Sequence, residues 1–249
     1  MPTREWDAPT YDRVSAPQFR WGLAVLDRLE LNGDERVLDA GCGSGRVTEK
    51  LLERLPRGTV VALDGSEAML AEARRRLAAH LDRVELVCAD LGRPLPAMAP
   101  VDHILSTATF HWVPDHDTLF HHLAAAVRPG GRLVAQCGGA GNVESVRSAA
   151  RRLDGGWEGP QNYATAEATR ERLEAAGFVE VRTWLHDEPT PFEAGEQLTT
   201  FLRTVILGAH LQRMPAERHD AFVEAVAATL GPQPVVDYVR LNILATRAS

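Results

Sequence analysis

Apolar positions in this chain follow two rhythms, short unbroken runs and longer stretches repeating every three to four residues. The runs at 37–38, 59–64, 84–90, 101–106 and 132–136 are dominated by Val, Leu and Ile. Such runs predict strands buried on both faces, the pattern of a parallel sheet. The stretches at 17–29, 47–55 and 67–80, with a further one ending at 123–127, predict the helices between them, the last stopped by Pro129, Gly130 and Gly131. After Gly141 the pattern gives helices at 143–153 and 165–176, an alternating strand at 179–184, helices at 192–207 and 215–230, and a last strand at 235–246. The expected fold class is α/β: one domain over 1–249 with a seven-stranded, mostly parallel, Rossmann-like sheet and a late hairpin strand. A helical lid is expected from an amino-terminal segment, 1–30, and an insertion, 185–232.

Polar residues interrupt the runs at telling places. The first run passes through Asp39 into Gly41-Cys42-Gly43-Ser44-Gly45-Arg46, a glycine turn between a strand and a helix. Glycines at 41 and 43 let a ligand lie against bare backbone, and the helix start offers unpaired N–H groups. A dinucleotide site places Gly or Ala five residues after the first glycine so that helix and strand pack closely; here that place holds Arg46. Asp39 would repel a pyrophosphate and attract an ammonium, so the loop suits a cationic ligand. The second run ends in Asp64, followed by Gly65 and Ser66, 19 residues after Gly45. That is the place of a ribose-binding acid, about 20 residues on; Ser66 equally serves as the cap of the next helix. The third run ends in Asp90 before Leu91, and the fourth in Ser106. Three acids ending three strands share one edge of a parallel sheet, where ligands of such folds bind.

Composition narrows the partners. The formal net charge is −7 and no Lys/Arg run stands out, which disfavours nucleic acid. No apolar run spans a bilayer and MPTREWDAPT has no signal-peptide core, so a cytoplasmic protein without membrane attachment is expected. Cys42, Cys88 and Cys137 are isolated and are expected as small buried hydrophobes, with no metal site. His116, His121 and His122 lack ligand spacing and suit a polar helix face.

The run V-L-D-A-G-C-G-S-G at 37–45 resembles motif I of the class I S-adenosylmethionine (SAM) methyltransferases. W-D-A-P-T-Y-D at 6–12 and F-H-W-V-P-D-H at 110–116 resemble segments of the trans-aconitate methyltransferase group within that family. The resemblance implies SAM as cofactor, S-adenosylhomocysteine as product and a small-molecule acceptor. It sets Met69 against the adenine, with core packing as the alternative. It gives Asp90 and the Leu91 amide to the adenine edge, and makes the segment around Tyr11 a lid. Gly65, Ser66 and Ser106 join the cofactor candidates by position. His111 and Trp112 become candidates for the reaction cavity, and His111 for a general base if the acceptor is a hydroxyl or amine; the alternative packs Trp112 in the core. A carboxylate acceptor needs no base but needs cations, for which Arg203, His210 and Arg213 are the nearest candidates; exposed arginines are the alternative. O-methylation of a small acid is the leading expectation. N- or C-methylation and SAM binding without turnover stay open, as does a monomer or weak homodimer. A NAD-dependent oxidoreductase is disfavoured by Asp39 and Arg46.

Overall fold

A computed structural model describes residues 6–249. The first five positions of the expected 1–249 domain and its 1–30 lid segment lie outside the described residues. The seven strands are β1 (Arg36–Ala40), β2 (Thr59–Asp64), β3 (Val84–Cys88), β4 (Val101–Thr107), β5 (Val127–Gly138), β6 (Phe178–Pro191) and β7 (Val235–Arg247). They form one sheet in the order β3-β2-β1-β4-β5-β7-β6. Neighbours are parallel except at β7, which runs antiparallel to both β5 and β6. Strand order reverses between β1 and β4, so a crevice opens beyond their carboxyl ends.

The strand runs are apolar on both faces because both faces are covered. Val37, Val60 and Leu105 point to one side. There they meet α2 (Ala16–Leu26), α3 (Arg46–Arg54) and α4 (Glu67–Arg76) through Val25, Leu51 and Ala73. Leu38, Val61 and Ile104 point to the other. Here α5 (His116–Ala126) and α7 (Ala166–Ala175) supply Phe120, Leu123 and Leu173. A third core, built on Trp21, Phe201, Phe222 and Tyr238, lies under α6 (Glu144–Leu153), α8 (Glu196–Phe201), α9 (Gly208–Leu211) and α10 (His219–Ala228).

Several boundaries differ from the sequence expectation. Helix α1 (Ala8–Val14) was not expected; Asp7 caps it by accepting from the Thr10 amide at 3.1 Å. The helix expected over 67–80 ends at Arg76, with a 3-10 turn at Ala78–His80. The third strand stops at Cys88, two residues before Asp90. Strand β5 begins at Val127 and takes in the Pro-Gly-Gly segment, with a register shift opposite Val101/His103. Strand β6 continues to Pro191 by pairing with β7, so residues 185–191 of the expected insertion are strand, and the helical part begins at Glu196. Two prolines, Pro189 and Pro191, hid this continuation; β6 is an edge strand, where proline is tolerated. The helix expected over 192–207 is α8 followed by a π-turn at Leu202–Ile206. Cys42 and Cys137 are buried, but Cys88 is exposed.

Candidate functional site

The glycine turn sits at the switch point. Gly41, Gly43 and Gly45 all take positive φ, 87°, 55° and 81°, which only glycine adopts without strain. The Gly41 and Cys42 amides donate to the Leu63 carbonyl at 2.8 and 2.9 Å, pinning the turn to the end of β2. A Cβ on Gly41 would lie 2.1 Å from Thr109 Oγ1, whereas one on Gly43 would meet nothing within 4 Å. Gly41 therefore serves close packing, and Gly43 turns bare backbone to open space.

That space is a cavity of about 610 Å³ above the carboxyl ends of β1, β2 and β4. Of the residues singled out from sequence as cofactor-binding, Tyr11, Gly41, Gly43, Asp64, Gly65, Ser66, Met69, Asp90 and Leu91 line it. Asp64 Oδ2 accepts from the Gly43 amide and Oδ1 from the Ser66 amide, each at 2.9 Å. Its carboxylate is thus fixed in place at the end of β2. The Ser66 hydroxyl accepts from the Met69 amide at 3.3 Å, starting α4, and Met69 is buried. Asp90 Oδ1 accepts from the Gly92 amide at 2.8 Å.

The amino-terminal segment is held over the loop. Asp12 of α1 accepts from Ser44 Oγ and from Arg76, whose Nε also donates to the Ser44 carbonyl at 3.0 Å. Arg46 Nη1 donates to the Asp12 carbonyl at 3.1 Å, and its guanidinium lies 4.2 Å from the Phe19 ring centroid. Position 46 therefore carries a clasp between the loop and the amino-terminal segment, where a dinucleotide fold has its close-packing glycine. Trp6 meets Tyr11 and Trp112 edge-on at 5.3 and 5.4 Å. Sequence reasoning missed Trp157, Pro160, Ala209 and Gln212, which also line the cavity; no motif marks them.

Three other expected site residues lie off this cavity. Asp39 is buried; its Oδ2 accepts from Thr48 Oγ1 at 2.7 Å and its Oδ1 has no hydrogen-bond partner. Burial, with a smaller push from the Asp64 charge and an opposing pull from Thr48, raises its carboxyl to about 7. Ser106 does not reach the cavity either, because its hydroxyl is buried and donates to the Ala40 carbonyl at 2.6 Å, tying β4 to β1. His111 belongs to a smaller neighbouring pocket. Its Nδ1 accepts from the Gly138 amide at 3.3 Å and its ring stacks on Tyr163. Burial, then the Arg240 charge, holds it well below the ordinary histidine range. A neutral ring whose Nδ1 accepts an amide carries its proton on Nε2, so His111 offers a donor and not a base.

The expected cations are also rearranged. Arg203 pairs with the exposed Asp220, and His210 Nδ1 lies 2.9 Å from Asp154 Oδ2. Only Arg213 lines the main cavity, over the Trp157 ring at 4.2 Å. A different cation, Arg240 of β7, is buried beside His111 in the smaller pocket. Its signal was available: β7 buries Val236, Tyr238, Arg240 and Asn242 at period two, so an arginine shares the apolar face. Among the described residues no group of three His, Cys, Asp or Glu side chains is placed to hold a metal, and no helix is long and apolar enough to cross a membrane.

Residues 37–131 match the model of a family described as a methyltransferase domain. The trans-aconitate 2-methyltransferase of Methylobacterium nodulans is 35% identical over 181 residues, covering 73% of this chain and 67% of that protein. Its counterpart in Acidovorax ebreus is 39% identical over 132 residues, 53% of this chain and 49% of that protein. The chain spans about half the length of the first curated relatives it matches. Among solved structures, phosphoethanolamine N-methyltransferase 2 of Haemonchus contortus, in complex with SAM, matches with a TM-score of 0.65 at 19% identity, over 97% of this chain and 57% of that one. A putative methyltransferase of Bacillus halodurans matches with a TM-score of 0.64 at 18% identity, over 92% and 99%. At these identities the structural likeness speaks for the fold alone.

Proposed function

The chain belongs to the class I SAM-dependent methyltransferases, and on that premise we propose that it methylates a carboxylate oxygen of a small organic acid, with trans-aconitate the first candidate. The observation that carries the reading is one wall of the 610 Å³ cavity, where the bare Gly43 backbone, the Asp64 carboxylate and Asp90 lie together. These residues suit SAM. Asp64 presents a carboxylate to the cavity as the acceptor for the ribose hydroxyls, and Gly43 leaves the main chain open to the amino-acid part. Met69 offers an apolar surface for the adenine, with Asp90 and the Leu91 amide as acceptor and donor at its edge. Gly65 and Ser66 complete the turn that holds Asp64.

Bound SAM supplies a methyl activated by sulfonium: an acceptor carboxylate oxygen forms the O–C bond as the C–S bond breaks, its electron pair staying on sulfur, which yields the methyl ester and S-adenosylhomocysteine without a proton transfer. The protein's contribution is alignment and exclusion of water. Helix α1, clasped through Asp12, together with Tyr11 and the Trp6–Trp112 pair, forms the lid of this reading. The helical region from Glu196 to Ala228 forms the roof of this reading. A carboxylate nucleophile asks for no base, in keeping with a neutral, hydrogen-donating His111. The free thiols and acidic balance support a cytoplasmic enzyme that acts on small molecules, as a monomer or weak homodimer, and not on nucleic acid or membranes.

The test is S-adenosylhomocysteine release with small carboxylic acids set against small phenols and amines. Turnover of acids is expected. Turnover confined to amines or phenols would overturn the carboxylate assignment.

A further inference from the structure

Resting on the small-acid reading above, we propose that Arg240 anchors a second carboxylate of the acceptor, one that does not react, in the side pocket next to the cofactor cavity. The two spaces share Trp6, Tyr11, Gln18, Ala108 and Trp112 as lining, and the side pocket reaches inward to His111 and Arg240. Its volume is about 40 Å³. That exceeds the roughly 10–15 Å³ one water needs and suits a carboxylate head, so the remainder of a polyacid must extend through the shared mouth toward the methyl donor.

The guanidinium is built in and, among the described residues, has no carboxylate partner. Arg240 is 3% exposed, with its charge 4.7 Å from the Trp21 ring centroid. Its one hydrogen bond to a described residue runs from Nε to Gln136 Oε1 at 3.2 Å. Gln136 is itself oriented by donating to Asn242 at 2.9 Å. Arginine has five N–H donors, so four are left over. No described Asp or Glu forms an ion pair with it, and none lines the pocket. A buried charge without a partner is costly and does not stabilise a fold, which makes an anionic ligand the natural partner. The His111 Nε2 proton adds a second donor, and the Gln18 amide, which donates to Tyr238 Oη at 3.0 Å, stands at the shared wall.

The anchored carboxylate cannot be the nucleophile. A guanidinium fork engages the lone pairs that attack requires and lowers their basicity. The reacting and anchored groups are therefore different, and the preferred acceptors are di- or tricarboxylates.

The experiment uses the full chain saturated with S-adenosylhomocysteine. Calorimetry measures binding of trans-aconitate and of crotonate, a monocarboxylate, to wild type, Arg240→Met and Arg240→Lys. Wild type should prefer trans-aconitate. Arg240→Met should weaken that acid at least 30-fold, about 2 kcal/mol, and weaken crotonate far less, while Lys restores part of the loss. S-adenosylhomocysteine affinity of Arg240→Met serves as the fold readout and should be unchanged, since Arg240 does not line the cofactor cavity. Failure of wild type to bind trans-aconitate, equal weakening of both acids, or a folded Arg240→Met with wild-type affinity would each overturn the anchor. Tight binding without methyl transfer would instead count against the catalytic reading and leave the anchor standing.

Discussion

Replacing Asp39 with asparagine should remove a pH-dependent weakness from the fold. In the folded chain the Asp39 carboxyl is buried and has one hydrogen bond, from Thr48 Oγ1 at 2.7 Å. Burial first, and the neighbouring Asp64 charge in addition, raise it from 3.8 to about 7. The sign follows from linkage. Above pH 4 the unfolded chain has lost this proton while the folded chain keeps it, so stability falls as pH rises and levels off once pH passes about 7. The full loss is roughly 4 kcal/mol, of which some 2–3 kcal/mol falls between pH 5 and pH 8. Asparagine keeps an acceptor for Thr48 and does not titrate. Its extra buried N–H carries a cost of about 1–3 kcal/mol, but that cost is the same at both pH values. Urea unfolding of wild type and Asp39→Asn at pH 5 and pH 8 reads the difference directly. The variant should gain on wild type by about 2–3 kcal/mol between the two conditions. Parallel pH dependence in the two proteins would refute the reasoning.

Calorimetry should show binding of SAM and S-adenosylhomocysteine and none of NAD, because Arg46 stands where a dinucleotide turn has its close-packing glycine; tight NAD binding alone would contradict this. Asp64→Ala should cut S-adenosylhomocysteine affinity roughly 10-fold or more, the loss of at least one charge-assisted hydrogen bond, in a protein whose circular dichroism spectrum is unchanged. Gly41→Ala puts a Cβ at φ 87° and 2.1 Å from Thr109 Oγ1, so a loss of about 2 kcal/mol or more is expected in thermal melts. Asp12→Ala unfastens α1 from Ser44 and Arg76, and stopped-flow measurement should find S-adenosylhomocysteine leaving several-fold faster with little change in melting midpoint.

Sheet and loop were legible because burial dictates them. Strands covered on both faces must be apolar throughout, so Thr59–Asp64 stands out, and the polar residue ending each run marks the sheet edge where ligands gather. What stayed hidden depends on partners far along the chain. Ser106 and Asp39 look like site residues by position, yet tertiary contacts with Ala40 and Thr48 take their polar groups inward. The extension of β6 through Pro189 and Pro191 is fixed by its pairing with β7, which local propensity opposes. Arg203 and His210 were plausible cations until the fold gave them Asp220 and Asp154. Arg240 was passed over because it follows no motif, although its place in the buried alternation of β7 distinguishes it from a surface arginine.

The most direct test of the central claim is mass spectrometry of the product formed from trans-aconitate and SAM carrying a trideuterated methyl. The account predicts a monomethyl ester bearing the intact CD₃ group, formed in step with S-adenosylhomocysteine and hydrolysed back to trans-aconitate by alkali. A label that survives alkaline hydrolysis on carbon, or that reaches amines but no acid in a protein that binds SAM, would contradict it.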